Sequence, residues 1–177
     1  MSKKILVFLA DGLEEIEAIT SIDILRRAEL DVTTVTLKNK QVHGSHDVDI
    51  MAEDELDNLV TSDFDGIVLP GGMPGSTNLR DDERVIDIVK KMDNQNKLVA
   101  AICAAPMVLA KAGILEDNKF TIHPGVEDQI DLKSTGARTF VDDNIITGIA
   151  SGAALEFAFK IVEKLLGKEK VDEINQG

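Results

Sequence analysis

Three stretches of the chain are apolar at successive positions rather than at alternate ones. They are I-L-V-F-L-A (5–10), G-I-V-L-P (66–70) and, after its opening lysine, K-L-V-A-A-I (97–102). A strand with one solvated face alternates, whereas a strand covered on both faces does not. All three therefore predict interior strands. D-V-T-T-V-T-L (31–37) is rich in β-branched residues and predicts another strand. Short strands are expected at F-T-I (120–122) and N-I-I-T-G-I (144–149), and a hairpin over 42–51 around G-S-H-D.

Between these runs the period becomes helical. Residues 14–28 predict a helix whose early turns hold Glu14, Glu15 and Glu17, where the helix dipole favours negative charge. Glu17 shares a face with Ser21, Ile24 and Ala28, so its carboxyl is expected to be partly buried. Residues 82–93 place Val85, Ile88, Val89 and Met92 on one stripe. Pro106 suits the first turn of a short helix running to about Ala112. A helix over 153–166 ends at Gly167, with a last turn or two in 168–175. Strands alternating with helices predict an α/β fold, a mostly parallel sheet with helices on both faces. With 177 residues and no repeat or linker, one domain over 1–177 is expected.

Composition narrows the function classes. The formal net charge is −13, from 19 basic and 32 acidic residues, and no basic patch stands out. Such a chain repels phosphate backbones, so nucleic-acid binding is not expected. No apolar run is long enough to span a membrane, and the N-terminal run stops at Asp11 without a secretory pattern, so a cytoplasmic protein is expected. The single cysteine, Cys103, excludes an internal disulfide and fits a reducing compartment. The sequence lacks a P-loop, and its first turn, A-D-G-L-E-E, lacks the dinucleotide glycines. Cys103, His43, His46 and His123 lack metal-site spacing.

In open parallel sheets, ligands bind beyond the carboxyl ends of the strands. Asp11, Gly12 and the glutamates follow the first predicted strand. Gly71 and Gly72 follow another, and Cys103 and His123 each end one more. A lone cysteine is most often a small buried hydrophobe. However, A-I-C-A-A places small residues around Cys103 as a nucleophile elbow requires, at a strand-to-helix turn. A helix N-terminus there is expected to lower the thiol pKa. Gly71 and Gly72 read either as a plain turn or as bare backbone that lets N–H groups reach an oxyanion. Glu14 and Glu15 read as dipole-compensating residues. Glu17, if desolvated, can hold or give a proton near neutrality. His123 reads as a loop histidine or as a base for Cys103. His43 and His46 are expected at the surface.

Taken together, F-L-A-D-G-L-E-E-I-E, L-P-G-G (69–72), A-A-I-C-A-A-P (100–106), T-I-H-P (121–124) and L-E-F-A-F-K-I-V-E (155–163) resemble the ThiJ/PfpI superfamily. The specific similarity is to the branch of the parkinsonism-associated protein deglycase. The resemblance implies a flavodoxin-like three-layer sandwich of the class I glutamine amidotransferase type, and a homodimer. It assigns the nucleophile to Cys103, its carboxyl partner to Glu17 and the nearby histidine to His123. The oxyanion positions fall on the backbone of Gly72 and Ala104, beside Gly71. The sequence departs from the family in three places. Ala104 stands where the protease-like branch has histidine, which argues against a peptidase. His46 stands where close relatives often carry arginine. Ser151-Gly152-Ala153-Ala154 replaces a G-P-G-T turn.

The resemblance implies a cysteine-dependent enzyme needing no cofactor, metal or glutathione. Its substrate would be a reactive α-oxoaldehyde such as methylglyoxal, or an early adduct of such an aldehyde with an amine or thiol. The alternative is an oxidation-sensing stress protein or chaperone using the same cysteine. A paralogue that keeps the fold without the activity is the third reading.

Overall fold

The computed structural model describes residues 2–176. The interior strands are β1 (Lys4–Leu9), β2 (Asp31–Thr36), β6 (Gly66–Leu69), β7 (Leu98–Ile102) and β9 (Ile145–Gly148). With the short β5 (Asp54–Glu55) and β8 (Thr139–Asp142) they form a seven-stranded sheet of order β5-β2-β1-β6-β7-β9-β8. Every neighbouring pair is parallel except β8–β9. The hairpin expected over 42–51 is a separate two-stranded ribbon of β3 (Gln41–His43) and β4 (Asp49–Met51).

The unbroken apolarity of β1 has a direct cause. Leu6 and Phe8 enter the core on one face of the sheet, and Ile5, Val7 and Leu9 enter the core on the other. Helices α2 (Gly75–Arg80), α3 (Glu83–Asn94) and α4 (Pro106–Lys111) supply the first core through Leu79, Val85, Val89 and Met107. Helices α1 (Glu15–Arg27) and α5 (Ala154–Leu166) supply the second through Ala18, Leu25, Phe157 and Ile161. Each fully buried aliphatic or phenyl side chain contributes about 1.5–3 kcal/mol. A polar residue on β1 would lose that term on either face. Helix α6 (Lys168–Asn175) forms over the residues where a last turn or two was expected.

The strand expected at 120–122 does not form. The segment is extended, but its hydrogen bonds go to side chains and loops. The Thr121 N–H donates to Thr147 Oγ1 at 2.9 Å, and the Thr121 hydroxyl donates to the Ala137 carbonyl at 2.7 Å. The place beside β9 is taken by β8, which folds back antiparallel through Asp143 at φ +48°. The mostly parallel sheet with helices on both faces is the one the hydrophobic pattern predicts, and the overall architecture is the flavodoxin-like sandwich that the resemblance implies.

Candidate active site

β1 is flanked by β2 on one side and β6 on the other. The chain leaves β1 towards β2 and β5 on one side and later returns past it to β6 on the other, and this reversal of strand order opens a crevice beyond its carboxyl end. Three loops meet there: residues 10–14 after β1, 70–74 after β6, and 103–105 after β7.

Cys103 directly follows β7. Its N–H donates to the Gly148 carbonyl at 2.8 Å, and its own carbonyl accepts the His123 N–H at 2.9 Å. The backbone is thus gripped on both sides and held at φ +63°. For a residue with a side chain, this left-handed conformation costs about 1–2 kcal/mol. Strain of this kind aims the side chain out of the sheet, as a nucleophile elbow does. Ala101 and Ala105, the small residues two positions to either side, are fully buried.

Glu17 reaches the same point from α1. It is fully buried. Its Oε2 accepts the Gly71 N–H at 2.8 Å, whereas Oε1 is buried without a hydrogen-bond partner. Gly71 is wedged between the two groups. A Cβ there would lie 2.5 Å from Glu17 Oε2 and 2.6 Å from the Cys103 Cβ. Only a glycine permits that approach, and Gly72 follows it at φ +91°.

The two acids perturb each other. Burial pushes the Glu17 carboxyl up to about 7, against the Gly71 N–H bond, which favours the carboxylate. Burial, and then the charge of Glu17, push the Cys103 thiol up to about 12. The backbone N–H groups of Ala104 and Gly72 act in the opposite direction, favouring a charged sulfur. The thiol taken alone is therefore not lowered, contrary to the sequence expectation. Helix α4 spans only six residues, and its end does not offset removal of the sulfur from water. The pair titrates as a unit that gives up one proton readily and resists losing the second.

His123 lies next to the elbow in space, but its ring is turned to its own loop. Nδ1 accepts the Gly125 N–H at 3.0 Å, so in the neutral ring the proton sits on Nε2. Among the described residues, no hydrogen bond joins this ring to the thiol.

Three further residues, read from sequence as bland, have specific partners. Glu14 is the cap of α1 rather than a first-turn residue, and its Oε2 accepts the Glu17 N–H at 2.8 Å. It therefore anchors the backbone that carries Glu17. Glu15 accepts both the His46 N–H at 2.6 Å and the His46 ring at 2.9 Å. Burial acts to raise the Glu15 carboxyl, but these bonds prevail and take it to about 2. The His46 ring, raised by the same contact, is exposed as expected and ties the β3–β4 ribbon to α1. Glu14, Glu15 and His46 offer ligand atoms within 4.8 Å of one another, but Glu15 and His46 are bonded to each other and Glu14 to the Glu17 N–H.

The chain matches the model of the DJ-1/PfpI family over residues 3–164. It belongs to that family. Protein dj-1beta of Drosophila melanogaster is 41% identical over 181 residues, covering 100% of this chain and 97% of that protein. Its crystal structure superimposes with a TM-score of 0.94 at 42% identity, over 100% of this chain and 97% of that one. The glutathione-independent glyoxalase DJR-1.2 of Caenorhabditis elegans is 33% identical, over 93% of this chain and 89% of that protein. A Toxoplasma gondii DJ-1 solved as "oxidized" is 35% identical with a TM-score of 0.92, over 98% and 96% of the two chains. Within this DJ-1/PfpI chain, the loops that meet beyond β1, β6 and β7 are the ones singled out by A-D-G-L-E-E, L-P-G-G and A-I-C-A-A. Among the described residues, no helix is long and apolar enough to cross a membrane.

Proposed function

We propose that the protein is a cysteine-dependent enzyme, acting without a cofactor on α-oxoaldehydes such as methylglyoxal or on their early adducts with amines and thiols. The observation that carries the reading is the buried Glu17 carboxyl beside the strained Cys103. With one negative charge, the pair has two tautomers: carboxylate with thiol, or carboxylic acid with thiolate. The orphaned Oε1 is where the proton sits in the second, and the Gly72 and Ala104 N–H groups favour its thiolate.

In that tautomer the sulfur adds to the aldehyde carbon. A C–S bond forms, the carbonyl π pair moves to oxygen, and the Glu17 proton converts the alkoxide to a hydroxyl. The Gly72 and Ala104 amides stabilise the charge as it develops. The hemithioacetal then loses its C1 proton to Glu17 and regains one at C2, giving a thioester of a 2-hydroxy acid. Water cleaves the thioester, releasing lactate and restoring the thiol. Oxidation at C1 and reduction at C2 balance within the substrate, so no external redox partner is required. His123 is the secondary proton carrier, able to serve once its ring turns from Gly125. The C. elegans glyoxalase supports the substrate class. Ala104, rather than histidine, beside the nucleophile weighs against a peptidase. Lactate formation from methylglyoxal by wild type and by Cys103→Ala and Glu17→Gln variants tests the proposal, and equal rates for all three would sink it.

A second reading uses the same sulfur. Oxygens added to Cys103 would find the Gly72 and Ala104 N–H groups and the Glu17 proton as donors, which favours arrest at sulfinate. The oxidized T. gondii relative supports it. Mass spectrometry after mild peroxide should find a gain of two oxygens on Cys103, and an unmodified Cys103 beside oxidised free thiols refutes this role.

We also propose a homodimer in a cytoplasmic setting. Ile16 and Ile19 stand 58% and 48% exposed on the outer face of α1, an apolar pair that a partner copy would cover. Ile16→Lys should shift the sedimentation profile from dimer to monomer. A wild type that sediments as a monomer overturns the assembly.

A further inference from the structure

A second cavity of about 540 Å³ lies beyond the carboxyl ends of β1 and β2. It runs between the β3 segment of the ribbon and the junction of α2 with α3. None of Cys103, Glu17, Gly71, Gly72 or His123 lines it. Its floor is aliphatic, from Leu9, Leu37 and Val42. Thr36 also lines it, only 1% exposed, and its hydroxyl has no hydrogen-bond partner. A buried hydroxyl without a partner costs about 1–3 kcal/mol, which a ligand group reaching it would recover.

The charged lining is mostly acidic: Asp11, Asp81, Asp82 and Glu83, opposed by Lys38. Two of the carboxylates are already engaged, Asp81 by Arg80 and Asp82 by Arg84. The other two have capacity to spare. Asp11 uses Oδ1 for the His43 N–H at 2.9 Å, and Oδ2 makes no hydrogen bond among the described residues. Glu83 makes no side-chain hydrogen bond or ion pair among the described residues. Asn78 donates to the Asp11 carbonyl at 2.9 Å and keeps its amide oxygen as a further acceptor.

We propose that this cavity binds an aliphatic polyamine. An ammonium at each end would meet Asp11 with Asn78, and Glu83. The methylene chain would cover Leu9 and Val42, and an ammonium N–H would donate to the Thr36 hydroxyl. A neutral polyol would leave the carboxylates unmatched, and an anion would be repelled by them. Lys38 is exposed on a flexible stem and would work against the ligand. The site is independent of the cysteine chemistry.

The test is calorimetric titration of the intact protein with spermidine, at low and at physiological ionic strength. Saturable one-to-one binding is expected. Asp11→Asn and Glu83→Gln should each weaken it by about fivefold or more, the scale of one lost charge contact. Thr36→Val should weaken it too, without loss of folding, because the hydroxyl makes no bond in the free protein. Lys38→Gln should tighten it, a change no folding defect mimics. Cys103→Ala and Asp172→Asn should leave it unchanged. Absence of saturable binding, equal binding of mannitol, or equal weakening by Asp172→Asn would each overturn the proposal, the last by showing only diffuse attraction to an acidic surface.

Discussion

Glu17→Gln should lower the rate of lactate formation by about 10²–10⁴, the usual contribution of a positioned acid–base group. The substitution is nearly isosteric. The glutamine oxygen can still accept the Gly71 N–H, so the loop after β6 stays in place. What disappears is the proton site next to the sulfur. In the wild type the pair sheds its first proton near 7, so kcat/KM should rise with pH around that value. In the variant the thiol must lose its proton to water while buried, without a carboxylate to take it. Its rising limb should therefore move to the alkaline side of the wild-type limb. Cys103→Ala should abolish the covalent route at every pH. A Glu17→Gln enzyme with the wild-type rate and an unmoved limb would remove Glu17 from the mechanism and leave Cys103 to act alone. The pH limb separates this role from mere support of the fold, since a structural defect lowers the rate without moving the limb.

The layered sheet was legible because the physics of two-sided burial leaves a strong mark. β1, β6 and β7 are apolar on both faces, and their short length and flanking turn residues mark them as buried strands rather than helices. The elbow was legible for a similar reason, because Ala101 and Ala105 leave room at a tight turn. Residues 120–122 were misread as a strand. Three β-compatible residues ending at His123-Pro124 look like one, but pairing is decided by whether a sheet edge is free. β8 had taken that edge, and its own signal, T-F-V-D before D-N, is only four residues long. The thiol's electrostatics were misjudged for another reason. Sequence shows the helix that follows Cys103, but not the depth of the sulfur or the charge of a carboxyl 86 positions away. The Glu15–His46 contact was equally hidden, since it joins a helix start to a hairpin loop with no periodic trace.

Glu17 should also show itself in the stability of the folded protein. A carboxyl raised from 4.5 to about 7 holds its proton in the native state over a range where the unfolded chain has released it. Between those values the native state binds more protons, so stability falls as pH rises, with the full benefit below about 4.5 and none above about 7. At 1.36 kcal/mol per pKa unit the change is on the order of 3 kcal/mol. Chemical denaturation at fixed protein concentration should thus find Glu17→Gln gaining on the wild type from pH 5 to pH 8. His43 and His46 are raised by their carboxylate partners, and they also lose stability as pH increases. They do so equally in both proteins, so the difference between the curves isolates Glu17. Glu15 acts with the opposite sign and only at acid pH, where its carboxyl, held at about 2, is finally protonated. Parallel curves for the two proteins would mean that Glu17 ionises as an ordinary carboxyl, and the thiolate tautomer would lose its proton donor. A widening gap would show that the fold keeps an ionisable group whose charged form destabilises it at neutral pH. A glutamine would serve the Gly71 bond as well without that cost, and the proton exchange proposed with Cys103 would then account for the carboxyl.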